Sequence, residues 1–285
     1  MGRSPLAQAV DNLARQTFSL ADADLDRKWD WLGYEEGVRF AFFRTCEQLN
    51  GLAASLAYQR SQTNPLSIAQ HLLSDYHAAF RDLQAIILGI SDQQAEQVPA
   101  EGQWPARTAL LHTIQAERAF YGVTYYAIQR ERSSGALPLE LSDEDWEAMW
   151  PSDPFKQLKE SGSFSQSMGY YDALHRRVID DLADIRRDEL SAPVVFWESE
   201  NLPVSFRLGR FSSHMRQHTI QIEKTLADLG LAPGEVRRLL RLAYAALAKV
   251  EGAAIGGPGL GATECQVLAE EIDARTSEIL QVVNG

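Results

Sequence analysis

The chain has few cysteines and no long hydrophobic run. Its 285 residues contain two cysteines, Cys46 and Cys265, which are too few and too far apart for a disulfide framework or a zinc cluster. No stretch approaches the roughly 18 consecutive apolar residues of a membrane span. The first residues contain no apolar segment typical of a signal peptide. We therefore expect reduced thiols, no membrane span and a cytoplasmic location.

Positive charge is also scarce. The 27 Lys and Arg residues are outnumbered by 39 Asp and Glu residues, so the formal net charge is −12. An acidic chain has no general electrostatic attraction for the phosphates of nucleic acids or for anionic lipids. No run of basic residues interleaved with aromatic residues overrides this balance. We therefore expect neither a nucleic acid nor a membrane as a partner.

Strict alternation of apolar and polar residues, the pattern of a half-buried strand, is almost absent. Apolar residues repeat instead at intervals of three and four, which predicts an all-α fold. The predicted helices lie at about 25–60, 67–89, 105–130, 168–187 and 210–230, with two more after Pro233. One small β-hairpin is expected within 191–208, around a turn at Glu200-Asn201.

A long connection at 133–167 separates two of the predicted helices. It contains Pro138, Pro151, Pro154 and an acidic run that begins at Ser142. Antiparallel neighbouring helices need only short turns, whereas parallel neighbours need a long crossover. The segment is therefore interpreted as a crossover between parallel helices, with a short helix at 143–150. Its length also makes it a candidate lid over a functional site.

Three histidines are the candidate ligands of a metal ion. His214 and His218 are four residues apart, so on a helix they lie about 40° from each other and one turn apart. Two such imidazoles can share one ion, and a third, His112, would complete a three-histidine site with an open position. Alanines on the same face of its helix predict that His112 points into packed protein. The alternative is that these are core histidines satisfied by hydrogen bonds.

Other polar residues are weaker candidates. Gln221 lies about one turn beyond His218 and is predicted to orient a ligand or a bound water, or to be a buried amide. His71 and His77 are six apart, about 240° round a helix, and cannot face one ion; His77 is expected at the surface. His71 and His175 stay as less favoured ligands. Glu117 lies about 140° from His112, which favours an ion pair with a neighbouring helix.

Two segments carry a resemblance to a known family. The first runs from Trp104 to His112 and reads W-P-A-R-T-A-L-L-H. The second runs from Phe211 to Gln221 and reads F-S-S-H-M-R-Q-H-T-I-Q. Together they resemble the DinB superfamily, whose members show a tryptophan opening the second bundle helix with a histidine eight residues on, and H-x-x-x-H followed by glutamine in the fourth. The resemblance covers about residues 66–230.

The resemblance implies a four-helix bundle with up-down-down-up connectivity, which agrees with a long crossover between parallel helices. We expect this DinB-like bundle at 64–231. A helical extension at 1–63 is expected to pack on the bundle, and a second helical extension is expected at 232–285. Homodimerisation is a further expectation from the family.

The resemblance also implies a divalent metal ion, zinc or nickel, held by His112, His214 and His218. The function it implies is that of a metal-dependent enzyme acting on a small-molecule substrate. The reaction would be of the thiol-dependent S-transferase or isomerase type, with a low-molecular-weight thiol as co-substrate, or of the hydrolase type. The alternative is a non-catalytic metal-binding bundle that serves as a binding or stress-associated module.

Overall fold

The computed structural model describes residues 4–133, 136–152, 154–198 and 200–285, and these residues form an all-α protein, as predicted. In chain order the helices are α1 (Pro5–Thr17), α2 (Val38–Thr63), α3 (Ile68–Ile86), α4 (Asp92–Ala95), α5 (Ala106–Arg132), α6 (Asp143–Met149), α7 (Phe155–Ser161), α8 (Phe164–Leu182), α9 (Val204–Asp228), α10 (Glu235–Ala254) and α11 (Ala262–Asn284). The strands are β1 (Lys28–Trp31), β2 (Tyr34–Gly37), β3 (Pro193–Val194) and β4 (Leu202–Pro203). Within the described residues, no helix is long and apolar enough to cross a membrane.

The chain divides into two compact units. The first contains Met1–Pro65, Arg81–Ile90 and Leu231–Gly285, and the second contains Leu66–Phe80 and Ser91–Gly230. The boundary divides α3 after Phe80.

The first unit is built on four helices, in which α2 packs along α10 and α1 along α11. Its core consists of buried aliphatic and aromatic side chains, among them Leu6, Val10, Leu13, Phe42, Leu49, Leu56, Leu240, Leu247, Ile272 and Ile279. The buried carboxylate of Asp11 accepts a hydrogen bond from the Tyr244 hydroxyl at 2.9 Å. This unit therefore holds the helices of both predicted terminal extensions.

A hairpin in the first unit was not predicted, because 25–60 reads as one helical stripe. Strands β1 and β2 pair antiparallel, and α2 begins only at Val38. Leu32 and Gly33 form the turn with φ of 51° and 82°. Both central residues of a tight type I′ turn need positive φ, for which Asn-Gly is the usual sequence signal. Because leucine occupies the first of these positions, the sequence carries no usual signal of this turn.

The second unit is a four-helix bundle of α3, α5, α8 and α9. Helices α5 and α8 run parallel. Arg107, near the start of α5, donates to the Gly162 carbonyl just before α8, whereas Tyr121, further along α5, donates to Asp181 near the end of α8. Because both helices run in the same direction between these two contacts, the connection between α5 and α8 has to be a crossover.

The other two helices of the bundle run opposite to this pair. Gln70, near the start of α3, donates to the carbonyl of Ala183 just after α8. In α9, His218 lies against His112, and the earlier residue Phe211 lies against the later residue Phe120. These antiparallel contacts make the connectivity up-down-down-up, as the family resemblance implied.

The crossover carries the short helix predicted at 143–150, α6, and a second helix, α7, that was not predicted. The Ser142 hydroxyl accepts from the Asp145 amide, which caps the start of α6. Helix α8 begins at Phe164, four residues earlier than predicted, because Ser163 and Gln166 form a capping box. Residues 134, 135 and 153 of the predicted crossover lie outside the described residues.

The small hairpin predicted within 191–208 is present but shorter than expected. Strands β3 and β4 pair through two residues each, with Val194 opposite Leu202. Helix α9 begins at Val204, six residues before the predicted start. Ser199, inside the connecting segment, lies outside the described residues. The early start adds Arg207 to the helix that carries two of the candidate ligands.

Candidate metal centre

The antiparallel packing of α5 on α9 brings the three predicted histidines together. His214 and His218 share one face of α9, and their ring centres lie 4.5 Å apart. The ring of His112 on α5 lies 5.3 Å from that of His214 and 4.6 Å from that of His218. Three imidazoles from two neighbouring helices therefore form one cluster inside the second unit.

The ring nitrogens of this cluster have a spacing that suits a metal ion. One nitrogen from each histidine can be chosen so that all three lie within 4.8 Å of one another. The Nε2 atoms of His214 and His218 are 3.2 Å apart. A tetrahedral zinc ion with bonds of 2.0–2.1 Å to nitrogen separates its ligand atoms by about 3.3 Å. The α9 pair therefore fits two positions of such an ion, and His112 faces the third.

The three histidines differ in exposure. His214 and His218 are buried, with 7% and 5% of their surface exposed, and His112 is the most exposed of the three. His112 points at the packed helix α9, in the direction predicted, but part of its imidazole stays exposed. The alanines on its face leave the imidazole beside α9, but they do not cover it. The cluster is thus more exposed at His112 than at the two histidines of α9.

Gln221, the residue predicted to orient a ligand or to be a buried amide, contacts one of the three histidines. Its Oε1 lies 2.8 Å from Nδ1 of His218. Because an amide oxygen can only accept, this hydrogen bond places the proton of a neutral His218 on Nδ1. Its Nε2 then carries the lone pair, which faces Nε2 of His214 at 3.2 Å. Hydrogen bonds of this kind, from the far nitrogen of a metal-binding histidine, fix its tautomer and its ring orientation.

Burial favours the neutral form of His214 and His218. It is the largest cause that lowers the pKa of His214 to about 3, and the nearby charges of His218, His112 and Arg210 act in the same direction. Burial also lowers the pKa of His218, against the effect of the Gln221 hydrogen bond. Only a neutral imidazole can bind a metal ion. Nδ1 of His214 is buried and makes no hydrogen bond to the described residues.

Aromatic rings border the cluster. The Trp104 ring lies 5.2 Å from that of His112 and is stacked on that of His218 at 6.4 Å. The edge of Phe120 meets His214 at 5.5 Å. Sequence reasoning assigned Trp104 to the entrance of α5 and did not single out Phe120. Phe120 is eight residues after His112 on α5, so the same helical period could have indicated it.

The sequence of the bundle agrees with this geometry. The family model of the DinB superfamily matches residues 75–222, just over half of the chain. The chain belongs to the DinB superfamily. The matched range contains all three histidines and Gln221. Neither the curated proteins nor the solved structures contain a match to the chain.

Two other histidines of this DinB bundle form a separate pair. His77 and His175 share a hydrogen bond of 2.9 Å between their ring nitrogens. The Phe80 ring stacks on His175 at 3.9 Å. His77 is half-buried rather than at the surface as predicted, and His71 is exposed. Neither His71 nor His175 belongs to the three-histidine cluster.

Glu117, on another face of α5, is fully buried. It accepts hydrogen bonds from the hydroxyls of Tyr76, at 2.7 Å, and of Tyr171. The ion pair predicted for Glu117 is therefore wrong, because two tyrosines take the place of a cation. Burial raises the pKa of this carboxyl to about 8, although both hydrogen bonds lower it. This buried acid is a second polar site that spacing alone did not reveal.

Proposed function

We propose that this DinB protein binds one divalent metal ion, zinc or nickel, through His112, His214 and His218. The observation that carries the proposal is the cluster of three ring nitrogens within 4.8 Å, two of them 3.2 Å apart. A divalent cation bound by three neutral imidazoles keeps its full charge and lowers the pKa of a water or thiol at its open position.

The residues around the cluster have different roles in such a site. Gln221 holds the His218 ring in one tautomer. Trp104 and Phe120 form apolar walls beside the three rings, and apolar walls strengthen electrostatic interactions by excluding water. The exposed side of His112 is the side from which a substrate can approach. Catalytic three-ligand sites differ from structural four-ligand sites in having such access.

We infer that the protein is a metal-dependent enzyme acting on a small molecule. The open side of the cluster supports this inference. The reaction is of the thiol-dependent S-transferase or isomerase type, with a low-molecular-weight thiol as co-substrate, or of the hydrolase type. We also propose a homodimer, and the family resemblance is its only support.

A non-catalytic metal-binding module is the second candidate function. It is favoured by the nature of the side chains against the three rings, which are the aromatic residues Trp104 and Phe120 and the amide of Gln221. Such groups position and shield an ion, but they supply neither a general base nor a nucleophile. In this case the ion would stabilise the bundle or support binding.

Elemental analysis of the purified protein tests the metal site. We expect about one equivalent of a divalent ion in the wild type, and its loss in a His214→Ala/His218→Ala double variant. His71→Ala is the matched control, because His71 is exposed and outside the cluster. A wild-type protein without metal, even after incubation with zinc or nickel salts, would exclude the proposed site.

Activity separates the two candidate functions once a metal is found. The metal-loaded protein would be screened with small thiols and electrophiles, and with hydrolysable esters and amides. The enzyme proposal expects turnover that disappears in His112→Ala while the circular dichroism spectrum stays unchanged. Loss of thermal stability on removing the metal, with no turnover of any of these substrates, would favour the binding module.

A further inference from the structure

Arg210 lies one helical turn before His214 on α9, at the edge of the histidine cluster. Its guanidinium carbon is 6.0 Å from the centre of the Phe120 ring, and that ring is 5.5 Å from the ring of His214. Arg210 is half-buried. A positive charge is therefore held beside the candidate metal centre, with part of its surface open to solvent.

Glu198, a carboxylate on which the charge of Arg210 acts, is already bound by another arginine. Arg207 is completely buried, and its two terminal nitrogens bind the two oxygens of Glu198 at 3.0 and 2.7 Å. This bidentate geometry occupies the fork of the guanidinium and both carboxylate oxygens. Glu198 therefore neutralises Arg207 first, and Arg210 is left with only a longer-range attraction to it.

The guanidinium of Arg210 makes few polar contacts with the described residues. It makes one long hydrogen bond, 3.4 Å, to the hydroxyl of Ser213. Among residues 4–133, 136–152, 154–198 and 200–285, no carboxylate forms an ion pair with it. By contrast, Arg216, six residues further along α9, is paired with Asp75 at 2.8 Å. An arginine fork is well suited to bind a carboxylate supplied from outside the chain.

We propose that Arg210 binds the anionic group of the substrate while the reacting end of that substrate lies at the three-histidine centre. The substrate class is then a small organic carboxylate. Trp104, 40% exposed and next to both His112 and His218, offers a flat apolar wall beside the reacting end of such a molecule. This inference rests on the proposed metal-dependent function, and it narrows the substrate of the same site.

Isothermal titration calorimetry of the zinc-loaded full chain with benzoate tests the proposal. Benzoate combines a carboxylate with a flat apolar ring, and benzamide is the uncharged probe of the same shape. We expect benzoate to bind more tightly than benzamide. Arg210→Gln should weaken benzoate binding by about tenfold to a hundredfold, since a hydrogen bond to a charged group is lost. Benzamide binding should not change.

Arg216→Gln is the matched control, because it removes the same charge from the same helix at a residue already paired with Asp75. It should leave benzoate binding unchanged, and Arg210→Lys should restore part of it. Zinc content is measured for every variant and should stay at the wild-type level. Benzoate binding that is absent, or equally strong in wild type and Arg210→Gln, overturns the role of Arg210 alone. A wild-type chain that takes up no zinc overturns the metal site and this inference together.

Discussion

Gln221 accepts a hydrogen bond of 2.8 Å from Nδ1 of His218, which lies three residues earlier on the same helix. The bond turns Nε2 of His218 toward Nε2 of His214, which lies 3.2 Å away. A local side-chain contact on α9 therefore sets the direction of a ring nitrogen in the histidine cluster. This relationship makes Gln221 the first residue outside the three histidines to test.

Replacing Gln221 with Ala should weaken zinc binding by about tenfold to a hundredfold, because the His218 ring loses the acceptor that fixes its tautomer. The measurement is a competition titration against a chromophoric zinc chelator. Gln221→Glu is the control, since it keeps an oxygen that can accept from Nδ1 and should retain most of the affinity. Equal zinc affinity in wild type and Gln221→Ala would show that the hydrogen bond has no role in metal binding.

Glu117 should make the stability of the bundle depend on pH. Burial raises its pKa from an ordinary value of 4.5 to about 8, so the folded chain retains a proton that the unfolded chain releases. Stability from this residue is fully present below about pH 4.5 and is lost as pH rises through about 8. Glu117→Gln, which stays neutral, should remove this loss. The expected difference at pH 9 is on the order of 1–3 kcal/mol.

Urea unfolding of wild type and Glu117→Gln at pH 6 and pH 9 measures this effect, with the Tyr76 and Tyr171 hydroxyls retained in both proteins. The midpoint of the wild type should fall between pH 6 and pH 9 by more than that of the variant. The prediction is wrong if the two proteins lose the same stability over this interval.

Trp146 in the crossover packs directly on the backbone of α5 at Gly122. A Cβ atom at Gly122 would lie 2.5 Å from the Trp146 ring, so Gly122→Ala has to displace α6. We expect a loss of about 1–3 kcal/mol from this overpacking, reduced by a gain of up to about 1 kcal/mol in helix propensity. Limited proteolysis within residues 136–152 should become faster.

Gly169, on α8, is the matched control for Gly122. A Cβ atom there meets nothing within 4 Å, so Gly169→Ala should raise stability by about 0.5–1 kcal/mol through helix propensity alone. Thermal unfolding of both variants gives the comparison. A Gly122→Ala protein as stable as Gly169→Ala would mean that Trp146 does not rest on α5 in solution.

The pair of Arg207 and Glu198 should matter far more for stability than the exposed pair of Arg216 and Asp75. Glu198→Ala leaves the guanidinium of the completely buried Arg207 without its partner, which should cost about 3–5 kcal/mol. Asp75→Ala breaks an exposed pair and should cost about 1 kcal/mol or less. Chemical denaturation of the two variants under identical conditions measures the difference, and comparable losses would contradict the prediction.

Much of the bundle follows from local sequence. The spacing of His214 and His218 places both on one face of a helix because the α-helical period is a local property of the backbone. The proline-containing segment at 133–167 predicts a crossover, and hence parallel α5 and α8, because chain length limits which helix ends can be joined. Gln221 could be assigned to His218 for the same reason, since three residues make almost one turn.

Only the tertiary structure decided the remaining features. Whether His112 meets the α9 pair depends on the register of two antiparallel helices, which no local spacing encodes. The same register sets how much of His112 stays exposed, which the residues on its own helix face do not reveal. Glu117 obtains two tyrosine partners from α3 and α8, residues that are 41 and 54 positions away in the chain. Arg210 was not singled out from the sequence, because its contact with Phe120 depends on the packing of α5 against α9. Periodicity determined which side chains share a face of each helix, and packing between helices decided which of those faces met.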